Sequence, residues 1–132
     1  MIKKIKDYGV MVTVKAAKNS YLFIDGIDRD RYISSIIKKT ERVSNGEIIP
    51  IIAGLNNDCA RIIFMGGDED ILRKLIRSIH ISYSSYRKLK NCPVAFKKTT
   101  YETVDGFAKI KEAKENIKAD FDFICYMELY VV

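Results

Sequence analysis

Residues Ile48 to Phe64 read IIPIIAGLNNDCARIIF, two apolar β-branched runs, Ile48 to Ala53 and Ala60 to Phe64, on either side of the polar stretch Asn56-Asn57-Asp58. Asn and Asp hydrogen-bond nearby backbone and tolerate left-handed conformations, so the stretch reads as a central β-hairpin. Pro50 cannot donate to a sheet ladder, which predicts either an edge strand or a break near the strand's start. Asp58 and Ala60 are two residues apart and share one strand face. Of the two, only Asp58 carries a donor atom.

Before the hairpin, Tyr8 to Val14 (YGVMVTV) reads as a first strand. A loop with Lys15 and Lys18 follows, and Asp28 is the expected N-cap of a helix whose stripe is Ile33, Ile36, Ile37, Thr40 and Val43, ending at Asn45-Gly46. After the hairpin, Gly66-Gly67 and the acids Asp68, Glu69 and Asp70 open a second helix over 69–89, where acidic residues suit the helix dipole. Its apolar stripe is Leu72, Leu75, Ile76, Ile79, Tyr83 and Tyr86. A second stripe, displaced around the cylinder, holds Arg73, Arg77, His80, Ser84, Arg87 and Lys88. His80, the sole histidine, falls at the boundary between the two. Asn91-Cys92-Pro93 breaks the helix, and Val94 to Val104 reads as a strand with Lys97 and Lys98 near its start. Asp105-Gly106 leads into a third helix over 107–118, and the final FDFICYMELYVV favours a strand over a helix. The order β-α-β-β-α-β with a helix after it predicts an α+β, ferredoxin-like (split βαβ) antiparallel sheet with helices packed on one face.

At 132 residues the chain is expected to form one domain spanning 1–132. With 48% hydrophobic and 30% charged residues it has the composition of a soluble protein, and no run approaches the roughly 18 apolar residues of a membrane span. The N-terminal MIKKIKDYG lacks the apolar core of a signal peptide, so a cytoplasmic location is expected. Cys59, Cys92 and Cys125 stand far apart without CxxC pairing, which argues against a zinc site or a disulfide framework and for small buried hydrophobes. The net charge is +6, and its placement is more informative than its size. From Ile71 to Tyr101 there is no Asp or Glu, while Arg73, Lys74, Arg77, Arg87, Lys88, Lys90, Lys97 and Lys98 are all cationic. One segment carries the whole excess, as a polyanion-binding surface would.

Three stretches in order, LFIDGIDRDRYISSII (Leu22 to Ile37), LNNDCARIIF (Leu55 to Phe64) and ILRKLIRSIHISYSSYRKL (Ile71 to Leu89, with Tyr83 and Tyr86), are similar in pattern and spacing to the single-tyrosine HuH transposases. Within that family they most resemble the REP-associated tyrosine transposase domain. The resemblance covers about residues 8 to 104. It implies a site where two histidines hold a divalent metal on a scissile phosphate and a tyrosine attacks to give a phosphotyrosine link. Here the histidine positions fall on Asp58 and Ala60, and the family's Arg-Gly loop falls on Lys15-Ala16. An ungapped count puts Lys114 at the nucleophile position, whereas an insertion brings Tyr126 there, with Tyr130 at the place of the third metal-helping side chain.

With the metal pair replaced, the expectation is a DNA-binding domain that has lost catalysis and holds single-stranded or hairpin DNA through its basic second helix. Lys15, Lys18, Arg73, Lys74, Arg77, Arg87, Lys88, Lys97 and Lys98 are the expected phosphate contacts. No cofactor is expected. Mg or Mn at Asp58, with Tyr126 as nucleophile, belongs to the alternative of an altered but working strand transferase. A second alternative is a ferredoxin-like module for a protein or RNA partner. The resemblance also implies a homodimer, with the C-terminal strand free to extend a partner's sheet.

Overall fold

A computed structural model describes residues 8–44 and 46–127 of the chain. Asn45 of the expected Asn45-Gly46 turn and Tyr130 lie outside the described residues. The described elements follow one another as β1 (Tyr8–Lys15), α1 (Gly26–Ser44), β2 (Ile49–Leu55), β3 (Cys59–Met65), α2 (Glu69–Leu89), β4 (Thr100–Asp105), α3 (Phe107–Asp120) and β5 (Phe123–Tyr126). The sheet order is β4-β1-β3-β2-β5, and every neighbouring pair is antiparallel. Its first four strands have the expected ferredoxin-like order, and β5 adds a fifth beside β2.

The hairpin forms as its sequence predicts, with Ala60 opposite Leu55 and Ile62 opposite Ala53. Pro50 lies in the second position of β2, and the register shifts between Pro50 and Ile52. An internal strand accommodates proline there because a bulge takes the ladder position that proline cannot fill.

Strand alternation divides the interior in two. Val10, Val12, Val14, Ala53, Ala60, Ile62 and Phe64 point to one face, where Tyr32 and Ile36 of α1 and Leu72, Leu75, Ile76, Ile79 and Tyr83 of α2 cover them. Val43, expected on the apolar stripe of α1, is instead exposed near the helix end. The opposite face carries Ile52 and Ile63, which pack with Ile110, Ile117 and Phe121 at α3. So α1 and α2 share one face as expected, and the third helix covers the other. A Cβ on Gly54 would lie 2.6 Å from Phe121 and 2.7 Å from Ile117, so glycine at this site lets α3 press directly onto β2.

The hairpin tip ties these layers together. Asn56 accepts from Asp122 N at 2.8 Å and donates to Asp120 O at 3.3 Å, fixing the turn between α3 and β5. The Asn57 carbonyl accepts from Leu22 N and the Asp58 carbonyl accepts from Ala16 N, at 2.7 and 2.8 Å. The polar residues that mark the turn in the sequence thus anchor three other segments.

The fourth strand is shorter than its sequence suggests. Of Val94 to Val104, only the part from Thr100 onward joins the sheet, apart from one bridge between Phe96 and Ala16. Phe96 stacks on His80 of α2 with ring centroids 4.1 Å apart, and Ala95 N donates to Ser20 Oγ. The segment keeps a single bridge to β1 and packs its Phe96 side chain on α2, where its β propensity favours a continuous ladder.

Candidate nucleic-acid interface

α2 begins with the capping its sequence predicts, Asp68 accepting from Ile71 N at 2.9 Å, an arrangement worth about 1 kcal/mol. Along the helix, Arg73, Lys74, Arg77 and Lys88 are exposed. Arg73 pairs with Glu69 at 3.1 Å and lies over the Tyr101 ring. Lys74 and Arg77 share a shallow groove with Lys39 of α1, and Lys39 Nζ donates to Ser78 Oγ.

Arg87 departs from this stripe, being only 1% exposed. Its Nε donates to Cys92 O at 2.7 Å, and Nη1 donates to Leu22 O at 2.5 Å and to Tyr83 Oη at 3.1 Å. A guanidinium engaged in this way has no face left for a phosphate. Beside it lies Asp28, fully buried, whose carboxylate accepts from Ile24 N, Tyr86 Oη and Lys90 Nζ at 2.9, 2.7 and 2.8 Å. Burial alone would raise the Asp28 pKa, but the bonds from Lys90, Ile24 and Tyr86 outweigh it and hold the carboxyl below its ordinary 3.8. Asp28 is therefore not the N-cap of α1. That role falls to Asp25, whose Oδ1 accepts from Asp28 N, while Asp28 reaches back to Ile24. The Asp-x-x-Asp and Tyr-x-x-Tyr patterns meet here as a clamp between the 22–28 segment and the end of α2.

The remaining predicted cations converge at one end of the sheet. Lys97 N donates to the Lys15 carbonyl at 2.8 Å, and Ala17 N donates to Ala95 O at 2.9 Å, which sets the loop bearing Lys18 beside the segment bearing Lys97 and Lys98. All four lysines are exposed. Arg61, which is not among the phosphate contacts expected from the sequence, lies beside them but is half-buried, its Nε donating to Thr13 Oγ1 at 3.2 Å and its guanidinium 5.5 Å from the Phe121 ring. Thr13 pairs with Arg61 and Lys15 with Cys59, so Lys15 and Arg61 are diagonal neighbours on one sheet face. Burial raises the Cys59 thiol pKa, while the adjacent Arg61 and Lys15 charges oppose it, as expected if both cations flank the thiol. The signal for Arg61 in the sequence is alternation, since it interrupts an otherwise apolar strand.

Asp58 and Tyr126 are not brought together. Asp58 is exposed at the hairpin tip, and the methyl of Ala60 is 0% exposed in the core, with no lone pair to offer. One carboxylate beside a buried methyl does not fit a divalent ion, and among the described residues no three His, Cys, Asp or Glu side chains group as metal ligands. Tyr126 lies on β5, level with Ile52 of β2, which is in turn level with Ile63 of β3. Standard strand spacings put it roughly 10 Å across the sheet and about 15 Å along it from Asp58. Its ring is 43% exposed, with Lys118 Nζ 5.6 Å from the centroid. No helix among the described residues is long and apolar enough to cross a membrane.

No protein family and no curated protein matches the sequence. Among solved structures, the chain is similar to a REP-associated tyrosine transposase bound to a REP hairpin, with a TM-score of 0.59 and 15% identity over 89% of this chain. It spans 66% of that protein's chain. A de novo designed protein, Foldit4, aligns with a TM-score of 0.41 and 15% identity over 74% of this chain and 96% of its own. At such identity the transposase shares the fold with this chain: an antiparallel sheet in α+β architecture.

Proposed function

We propose that this chain is a nucleic-acid-binding domain that holds DNA, single-stranded or hairpin, at the cationic end of its sheet and does not cleave it. The observation that carries this reading is the convergence of Lys15, Lys18, Lys97 and Lys98, which two backbone hydrogen bonds draw together from segments distant in the sequence. Arg61 lies beside this end, half-buried against Thr13 and Phe121, and the adjoining tip carries the acids Asp58, Asp120 and Asp122. Lysines on a hydrogen-bonded scaffold neutralise phosphates without needing a metal. Arg73, Lys74, Arg77 and Lys88 extend the positive surface along α2. The shared fold of a transposase bound to a REP hairpin supports the choice of partner. The donor set at Asp58 and Ala60, and the distance of Tyr126 from it, support binding without strand cleavage.

Fluorescence anisotropy with a labelled hairpin carrying a single-stranded overhang tests the reading. Affinity is expected to fall steeply between about 50 and 200 mM salt, with a log–log slope of about −0.7 to −0.9 per phosphate neutralised. An unchanged signal at the lowest salt removes nucleic acid as the partner. In the same samples with Mg or Mn, no detergent-resistant protein–DNA adduct is expected. An adduct that disappears in Tyr126→Phe would restore the strand-transferase alternative.

A further inference from the structure

We infer that Tyr21 is a stacking platform for an unpaired base, which makes the lysine-rich end of the sheet a reader of single strands. This deepens the nucleic-acid reading and rests on it. Tyr21 is 56% exposed, and its ring makes no aromatic or cation–π contact among the described residues. Other exposed rings are differently placed. Phe123 lies under the Arg29 guanidinium at 3.6 Å, Tyr126 lies near Lys118, and Phe107 begins α3, at the end of β4 away from Lys97 and Lys98.

The backbone around Tyr21 is held on both sides. Ser20 N donates to Ala17 O, Ser20 Oγ accepts from Ala95 N, and Leu22 N donates to Asn57 O at 2.7 Å above a buried Leu22 side chain. Asn19 adopts φ 66°, the left-handed turn that Asn tolerates, and this brings the chain from Lys18 back to Ser20. The ring is therefore presented from a fixed loop, and little ordering remains for binding to impose. Lys18 precedes it by three residues, and the Ser20–Ala95 bond ties it to the segment that carries Lys97 and Lys98. Alternating cations and an open aromatic face are what a single strand requires, with phosphates on lysine and a base on the ring. In a duplex the bases are already stacked on one another and cannot use the tyrosine.

The test compares wild type, Tyr21→Ala and Tyr21→Phe on a single strand and on a blunt duplex of the same sequence. Tyr21→Ala is expected to lose about 10-fold or more in single-strand affinity, and Tyr21→Phe to stay within about twofold of wild type. Duplex affinity and the salt slope should be unchanged in both, because no charge is removed. A 2-aminopurine in the strand should be quenched by wild type and Tyr21→Phe and left bright by Tyr21→Ala. Circular dichroism confirms folding of the variants. Single-strand binding that is indifferent to Tyr21→Ala, or an equal loss on the duplex, overturns the stacking role alone. Failure of wild type to bind either DNA overturns it together with the nucleic-acid reading beneath it.

Discussion

Arg87 and Lys97 belong to the same acid-free segment, yet they serve opposite ends. Arg87 is sealed among Leu22, Tyr83, Cys92 and Asp28, and its charge holds the 22–28 segment against α2. Lys97 gives only its backbone N–H to the fold, through Lys15 O, and leaves its ammonium to solvent. Where a cation's side chain makes the structural bonds, the charge belongs to stability. Where the backbone makes them, the charge is free for a partner. This distinction separates the predicted site residues better than their positions in sequence do.

Asp28 holds the structural side of this division in place. In Asp28→Ala, Arg87 stays buried without its acidic neighbour, and Ile24 N, Tyr86 and Lys90 each lose an acceptor. Removing one partner of a buried ion network costs about 3–5 kcal/mol, a large part of a small domain's stability. Urea unfolding monitored by circular dichroism should show this drop, while the fraction that remains folded binds DNA with an unchanged salt slope. A stability change under about 1 kcal/mol would mean that the clamp is not structural.

Next in size is a pH effect from the stack that holds the Lys97 segment. Burial, with Phe96 stacked on the ring, lowers the His80 pKa from 6.5 to about 4. In the unfolded chain the ring takes up a proton near pH 6.5, and in the folded protein it does not until about 4. Stability is therefore full above that window and falls as pH drops through it, by roughly 3 kcal/mol at most. Urea midpoints at pH 7 and pH 4.5 measure the fall, which should shrink in His80→Gln. An identical fall in that variant would assign the acid sensitivity to other groups.

How far these assignments were legible in the sequence depended on the kind of signal. The hairpin, the apolar stripe of α2 and the ferredoxin-like order follow from periodicity and turn chemistry, which are local. Arg87 is misplaced by its pattern because a cation in helical step with Arg73 and Arg77 reads as exposed, and only the loop at Leu22 and Cys92 shows otherwise. Likewise the Val94–Val104 run has strand propensity throughout, but its first half makes one bridge, at Phe96, and only Thr100 onward forms a regular strand. The lysine cluster was legible as four separate residues and not as a site, since the bonds joining Lys15 to Lys97 and Ala17 to Ala95 are long-range.

The same difference can be sharpened by removing exposed charge. Lys15→Ala/Lys97→Ala keeps the backbone bond between them, so stability should stay within about 0.5 kcal/mol. The salt slope should become shallower by about 1.4 to 1.8, since each phosphate no longer neutralised removes about 0.7 to 0.9. A titration series by anisotropy at several salt concentrations measures it. If the slope is unaltered, the phosphates lie on the Arg73, Lys74 and Arg77 face of α2 instead, and the same double substitution at Lys74 and Arg77 would then alter it.

The smallest effect separates charge from placement. Phe96→Ala leaves every cation in the chain but removes the ring that holds residues 94–98 on His80. Freed from that stack, the segment must be ordered when DNA binds, and fixing even one residue's backbone costs about 1 kcal/mol. Affinity should therefore fall about fivefold with the salt slope unchanged, the reverse of the lysine substitution, in which the slope itself moves. The two variants thus distinguish having the cations from holding them in position. The His80 ring, opened to water in Phe96→Ala, should also titrate nearer its ordinary 6.5, so the pH dependence and the affinity would change together. A proton NMR titration of the sole histidine reads that shift directly. If His80 still titrates near 4 in Phe96→Ala, the stack is not what keeps water from the ring, and the affinity loss would need another cause.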